Sequence, residues 1–321
     1  MIGKRRLLAS SAALLVTGAS VGRAQAKYPS EPIKFIVPRA PGGGTDVLAR
    51  LLAPTLEKKL GVPIVVDNRA DATAVLGGMI VTKAKPDGYT FYASDNAFYQ
   101  NPAILDQLPY DTLKDFTAVT MIAQGPVILI VHPDVPAKTL PELLALAKTT
   151  HLTFASGGIG ASTHLVGVMV NLRAGVNIQH IPFKGSGPAL IALLGGHVSM
   201  QYGGISSAAP YVKDGKVRAI VVTGDHRDPS MPDVPTFQES GLKDADVASI
   251  WGLHAPPDTP IERRRLVRDA IVAAMKEPDV KKSLADRGYE PIGNTPEEQQ
   301  VRTATLVNQW IEVGKTVNLK E

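Results

Sequence analysis

The chain of 321 residues carries 34 Lys and Arg against 30 Asp and Glu, with 44% hydrophobic side chains and no cysteine. Without thiols it has no disulfide framework, no thiolate metal site and no cysteine nucleophile. Four basic residues (Lys4, Arg5, Arg6 and Arg23) fall in an N-terminal export signal. The exported chain therefore balances 30 basic against 30 acidic groups, which removes the bulk-charge argument for nucleic-acid or anionic-membrane binding.

That signal consists of Lys4-Arg5-Arg6, an apolar run from Leu7 to about Leu15, and a small-residue cleavage site at Ala24-Gln25-Ala26. The run is too short to span a bilayer. It predicts a signal peptide over 1–26 and a periplasmic protein starting at Lys27, exported by the Sec or the twin-arginine route. The longest later apolar stretch, Val119 to Val131, is broken by Thr120, Gln124, Gly125 and Pro126 and predicts no membrane span. What remains is long enough for two ordinary domains with full cores.

Ile33-Lys34-Phe35-Ile36-Val37-Pro38 reads as a short β-branched strand closed by proline. Pro41-Gly42-Gly43-Gly44-Thr45-Asp46 follows, then a helical apolar pattern from Val47. A strand, a glycine-rich turn and a helix start present free backbone N–H groups and the positive end of a helix dipole to one point, which suits a carboxylate or phosphate. Thr45 or Asp46 can cap this helix instead. The turn has neither the Lys-Ser/Thr ending of a P-loop nor the spacing of a dinucleotide site.

Val62–Val66 and Thr90–Ala93 read as further strands, and the fully apolar Val127–Val131 as a buried strand leading into a second domain. Thr139-x-x-Glu142 is a capping box. The strand Leu152–Ala155 runs into Ser156-Gly157-Gly158-Ile159-Gly160-Ala161-Ser162-Thr163, a second junction built like the first. Ser186-Gly187-Pro188 opens another helix, closed by Gly195-Gly196. Val217–Thr223 and Trp251–Leu253 read as strands. Helices follow near Glu262–Lys276, Val280–Arg287 and Glu297–Thr316. The alternation predicts an α/β architecture with largely parallel sheets. Two such glycine turns can face each other across a cleft and share one small anion.

Taken together, Val37-Pro38-x-x-Pro41-Gly42-Gly43-x-x-Asp46-x-x-Ala49-Arg50, Asp67-Asn68-Arg69, Lys85-Pro86-Asp87-Gly88-Tyr89-Thr90, Ser156-x-Gly158-x-Gly160-x-x-x-His164-Leu165, Lys184-Gly185-x-x-Pro188-Ala189 and Pro232-Asp233-Val234-Pro235-Thr236 resemble the substrate-binding proteins of tripartite tricarboxylate transporters, the Bug family. The resemblance covers essentially the whole exported chain. It implies a two-lobed, Venus-flytrap periplasmic binding protein of type II-like α/β fold, with a cleft between the lobes. One lobe would comprise 27–127 plus 247–321 and the other 128–246. It further implies a small carboxylate ligand, held between the two turns by backbone N–H groups and water. Ala40, Gly43, Gly44, Thr45 and Asp46 would form one jaw; Ser156, Gly160, Ala161, Ser162 and Thr163 would form the other. Membrane permease subunits would be the partners, and the receptor is expected as a monomer without cofactor, metal or nucleic acid.

The chain departs from the family at several points. Ala70-Asp71-Ala72-Thr73-Ala74 replaces a glycine-rich turn and brings Asp71 to the expected cleft rim, while Ala192 and Ser199 stand at usually acidic positions. Arg39 replaces an aromatic or apolar residue before the first turn. Its fork suits a carboxylate or an inter-lobe salt bridge. With few protein carboxylates obvious as its partner, Asp71 being one candidate, a second ligand carboxylate is the expected mate for Arg39, making the ligand a dicarboxylate.

His164 suits capping or packing more than ligand contact. Tyr202 suits either the cleft wall or the core, and Asn96 follows the third strand in a similar position. No G-x-S-x-G elbow surrounds Ser156, Ser162 or Thr163, so hydroxyls beside a helix start read as caps or anion ligands. The expected function is capture of a small carboxylate for transport. The alternatives are an exported α/β enzyme acting on a small acid, which needs a base–nucleophile pair, and a sensory receptor sharing the same ligand chemistry.

Overall fold

A computed structural model of the chain describes residues 28–243, 245 and 247–316. The expected signal segment lies outside the described residues. In chain order, the first unit runs β1 (Ile33–Val37), α1 (Gly44–Leu60), β2 (Ile64–Asn68), α2 (Val75–Thr82), β3 (Thr90–Ser94), α3 (Asn96–Ile104) and β4 (Thr117–Gly125). The second runs β5 (Val127–Val131), α4 (Leu140–Ala147), β6 (Thr153–Ser156), α5 (Ser162–Ala174), β7 (Gln179–Pro182), α6 (Ser186–Leu194), β8 (Met200–Gly204), α7 (Ile205–Lys213) and β9 (Arg218–Val222). The chain then returns through β10 (Ser249–Ala255), α8 (Ile261–Met275), α9 (Pro278–Ala285), β11 (Glu290–Pro291) and α10 (Pro296–Thr316).

Two sheets result, with strand orders β11-β4-β10-β3-β1-β2 and β7-β6-β8-β5-β9. Pro126 stands alone between β4 in the first sheet and β5 in the second. Successive side chains of a strand face opposite sides, and both sides of each sheet are buried. Phe35 and Phe91 pack with Leu48 and Leu52 of α1 and Ile271 of α8, while Ile36 and Tyr92 pack with Phe98 and Phe116 on the opposite face. In the second sheet Leu129, Phe154 and Tyr202 form one core, and Ile128, Ile130, Ala155 and Leu190 form the other. Each sheet is thus sandwiched between helices, giving two α/β lobes.

The sheets are mixed rather than largely parallel. Strands β3-β1-β2 and β8-β6-β7 are parallel, but the strands carrying the chain between lobes, β4, β5, β9 and β10, all enter antiparallel. Parallel strands joined by helices send every helix start to the carboxyl edge of the sheet. This topology places the site.

Candidate ligand-binding site

The carboxyl edges of the two parallel arrays face each other, and six helices begin there, α1, α2, α3, α5, α6 and α7. Four of them, α1, α5, α6 and α7, have Gly43, Ala161, Gly185 and Gly204 at the N-cap, and none of these starts has a side-chain cap hydrogen bond. Their first-turn N–H groups remain available, and each helix end contributes about half a unit of positive charge. The other two starts are held by carboxylates: Asp95 accepts from the Ala97 N–H of α3, and Asp71 from the Val75 and Leu76 N–H groups of α2. A cavity of about 40 Å³ lies between these starts.

The capping expected of Thr45 or Asp46 does not occur. The Asp46 carboxylate instead accepts from the Gly42 N–H, Arg50 Nε and Asn68 Nδ2, which braces the turn and leaves the helix start open. Gly42 takes φ +83° within that turn, a conformation costly for a side chain.

Of the residues expected from sequence, Arg39, Gly43, Gly44, Thr45, Asn96, Ala161, Ser162 and Thr163 line the cavity. Five do not. Besides Asp46, Ala40 donates its N–H at 2.7 Å to the Lys184 carbonyl of the other lobe. Ser156 is fully buried with its hydroxyl 2.6 Å from His180 Nε2. Gly160 donates to His164 Nδ1 and lies against α3, where a Cβ would stand 2.6 Å from Asn101 Oδ1. Tyr202 belongs to the core, edge-on to Phe154.

Asp95, Gly157, Gly185, Ser186, Gly204, Ser249 and Trp251 complete the lining. Lys184-Gly185-Ser186-Gly187 and Gly203-Gly204 are the sequence signals of the α6 and α7 starts. Trp251 forms a wall against the α1 start, where a Cβ on Gly44 would meet its ring at 2.8 Å.

Arg39 is 3% exposed and its Nε donates to Asp95 Oδ2 at 2.6 Å. Its Nη1 reaches the Ala72 carbonyl at 3.2 Å, and its Nη2 is buried without a partner. The protein itself therefore supplies a carboxylate for Arg39, where a second ligand carboxylate was the expected mate. Asp71 accepts from the N–H groups of Thr73, Val75 and Leu76, fixing the start of α2 rather than charging the rim. One guanidinium nitrogen of this cavity-lining residue stays unpaired.

The lobes meet around this cavity. Tyr289 Oη lies 2.7 Å from the Gly44 carbonyl and 3.2 Å from Ser206 Oγ on α7. Ser162 Oγ and Ser249 Oγ lie 2.8 Å apart across the cleft. Gly187 packs so closely on the first turn that a Cβ there would stand 2.6 Å from the Pro41 carbonyl.

This two-lobed α/β architecture, with open helix starts around an inter-lobe cavity, matches that of solved periplasmic binding proteins. The tripartite tricarboxylate transporter family receptor model matches residues 48–319, and the chain belongs to that family. It is 34% identical over 298 residues to protein BugT of Bordetella pertussis (strain Tohama I), covering 91% of each chain. The solved periplasmic binding protein BugD superposes with a TM-score of 0.88 at 32% identity, covering 92% of this chain and all of that one. MatC from Rhodopseudomonas palustris, solved with bound malate, superposes with a TM-score of 0.85 at 32% identity, covering 89% of this chain and all of that one.

Proposed function

We propose that this chain is an exported receptor that captures a small dicarboxylate between its lobes and presents it to the membrane permease of a tripartite transporter. The observation that carries this reading is the set of four uncapped helix starts around one cavity. Together they amount to about two units of positive charge, while the charge of Arg39 is already offset by Asp95. One ligand carboxylate would sit on backbone N–H groups at Gly44–Thr45, Ser162–Thr163 and Ser186. The other would accept from Arg39 Nη2. The malate bound by MatC supports the same chemistry. The lobes would comprise 27–127 plus 247–321 and 128–246, with the signal removed near Ala26 and the receptor working as a monomer.

An enzymatic reading has one feature to weigh, the Ser156–His180 contact at 2.6 Å. Ser156 is fully buried and lies off the cavity, so this pair is placed for structure rather than attack on a bound acid.

Thermal-shift measurements with succinate, malate, adipate and matched monocarboxylates test the proposal. At 100 times its Kd a ligand adds about 2.7 kcal/mol of stability. A dicarboxylate should raise the melting temperature and be recovered unchanged. No response to any acid, or conversion of the acid by pure protein, would overturn the receptor reading.

A further inference from the structure

The Ser162–Ser249 contact differs from the other inter-lobe bonds. Ala40–Lys184 is a backbone bond, and neither Tyr289 nor Ser206 lines the cavity. Ser162 and Ser249 both line it, come from opposite lobes, and are both 5% exposed. Ser162 is the first residue of α5, yet its hydroxyl caps nothing. Ser249 opens β10, and Asn96 holds the backbone on both sides of it. Asn96 Nδ2 donates to the Ala248 carbonyl and its Oδ1 accepts from the Ile250 N–H, each at 2.9 Å. The position of Ser249 is therefore set by lobe 1, independently of Ser162.

Each hydroxyl carries one donor proton. Two hydroxyls bonded to each other use one proton between them and leave one. Among the described residues neither Ser162 nor Ser249 has a second side-chain partner, so the cavity is the outlet for the remaining proton.

Resting on the carboxylate reading above, we propose that the Ser162–Ser249 pair couples ligand to closure. One hydroxyl donates across the cleft, and the other donates its spare proton to a ligand carboxylate oxygen. The anion polarises the chain of two bonds and strengthens the bridge, so an occupied cavity holds the lobes together. Asn96 acts as a positioning residue for Ser249.

The test uses Ser162→Ala, Ser249→Ala and the double variant of the exported chain, with folding checked by far-ultraviolet circular dichroism. Succinate, malate and adipate are titrated by calorimetry, and the ligand-free proteins are measured by small-angle X-ray scattering. Either single change breaks the bridge but frees the surviving hydroxyl to serve the ligand, so each should weaken binding only a few-fold. The double variant removes the donor as well. It should lose on the order of tenfold to hundredfold, the range of a hydrogen bond to a charged group, and more than the product of the two single losses. All three ligand-free variants should show the same increase in radius of gyration over wild type. Losses in the double variant that merely multiply, or binding unchanged in all three, would overturn the ligand contact. An unchanged radius of gyration would overturn the bridge. If none of the three acids binds wild type, the receptor reading and the ligand contact both fail, while the scattering still decides the bridge.

Discussion

Asp95→Ala should destabilise the protein by about 3–5 kcal/mol, the loss seen when one partner of a buried ion pair is removed. The side chains of Arg39 and Asp95 are 4% and 11% exposed, and the Ala72 carbonyl is the only other acceptor that Arg39 reaches among the described residues. Removing the carboxylate leaves a buried guanidinium nearly unpaired. It also strips α3 of its cap, which by itself costs about 1 kcal/mol. The Arg39→Ala, Asp95→Ala double variant should lose clearly less than the sum of the two single changes, because no lone charge remains. Urea unfolding of the four proteins measures this. Ligand binding should move the opposite way in Asp95→Asn, since a negative charge leaves the cavity wall and Arg39 gains a free donor for a second carboxylate. A destabilisation below about 1 kcal/mol in Asp95→Ala would mean that the pair behaves like a solvated surface bridge.

The second large effect lies away from the cavity, in the core of the first sheet. His254 on β10 is 1% exposed, and burial pushes its pKa down from 6.5 to about 3. Its neighbours are neutral: Ser94 Oγ at 3.2 Å from Nδ1, Thr303 Oγ1 at 3.4 Å from Nε2, and the rings of Phe98 and Tyr99. The unfolded chain takes up a proton near pH 6.5 that the folded chain refuses until about pH 3. The stability tied to neutral His254 is therefore fully present above the unfolded pKa and is lost as pH falls through this window. For this one group the loss is on the order of 3 kcal/mol by pH 4.5 and on the order of 5 kcal/mol below pH 3. His254→Asn should be less stable than wild type at pH 7.5 because packing is lost, yet its stability should fall less steeply between pH 6.5 and pH 4.5. Urea midpoints across that range measure the difference. Parallel curves for the two proteins would contradict the assignment.

The sequence was most legible where strand, glycine turn and helix follow one another. The junctions at Pro41–Asp46 and Ser156–Thr163 form as read, and so does the cap at Thr139, whose Oγ1 accepts from the Glu142 N–H while Glu142 accepts from the Lys138 N–H. Strand β4 escaped detection because eight residues, Ala118–Gly125, are buried but for Gln124, so no period-two alternation marks it. Met200–Gly204 ends in two glycines, and Pro210 interrupts the α7 pattern, which hid β8 and the helix start behind it. Strand direction is not written in composition, hence the mixed sheets.

The partner of Arg39 was hidden for a topological reason. Strands β1 and β3 are neighbours, with Ile36 opposite Tyr92, so Arg39 and Asp95 each stand three residues beyond a matched pair. Separated by 56 positions in the chain, they meet only through that register. Asp46, Ser156 and Gly160 were drawn into the expected site by their place in the turns. Once folded, their polar groups brace those turns instead.

The central claim is that open helix starts from both lobes converge on one ligand carboxylate. A crystal structure of the exported chain with the tightest-binding of succinate, malate and adipate tests it most directly. The account requires carboxylate oxygens within about 3.2 Å of backbone nitrogens from both jaws, at Gly44–Thr45 and at Ser162–Thr163 or Ser186, with Arg39 Nη2 on the second carboxylate. An acid bound elsewhere, or held only by side chains of one lobe, would contradict it.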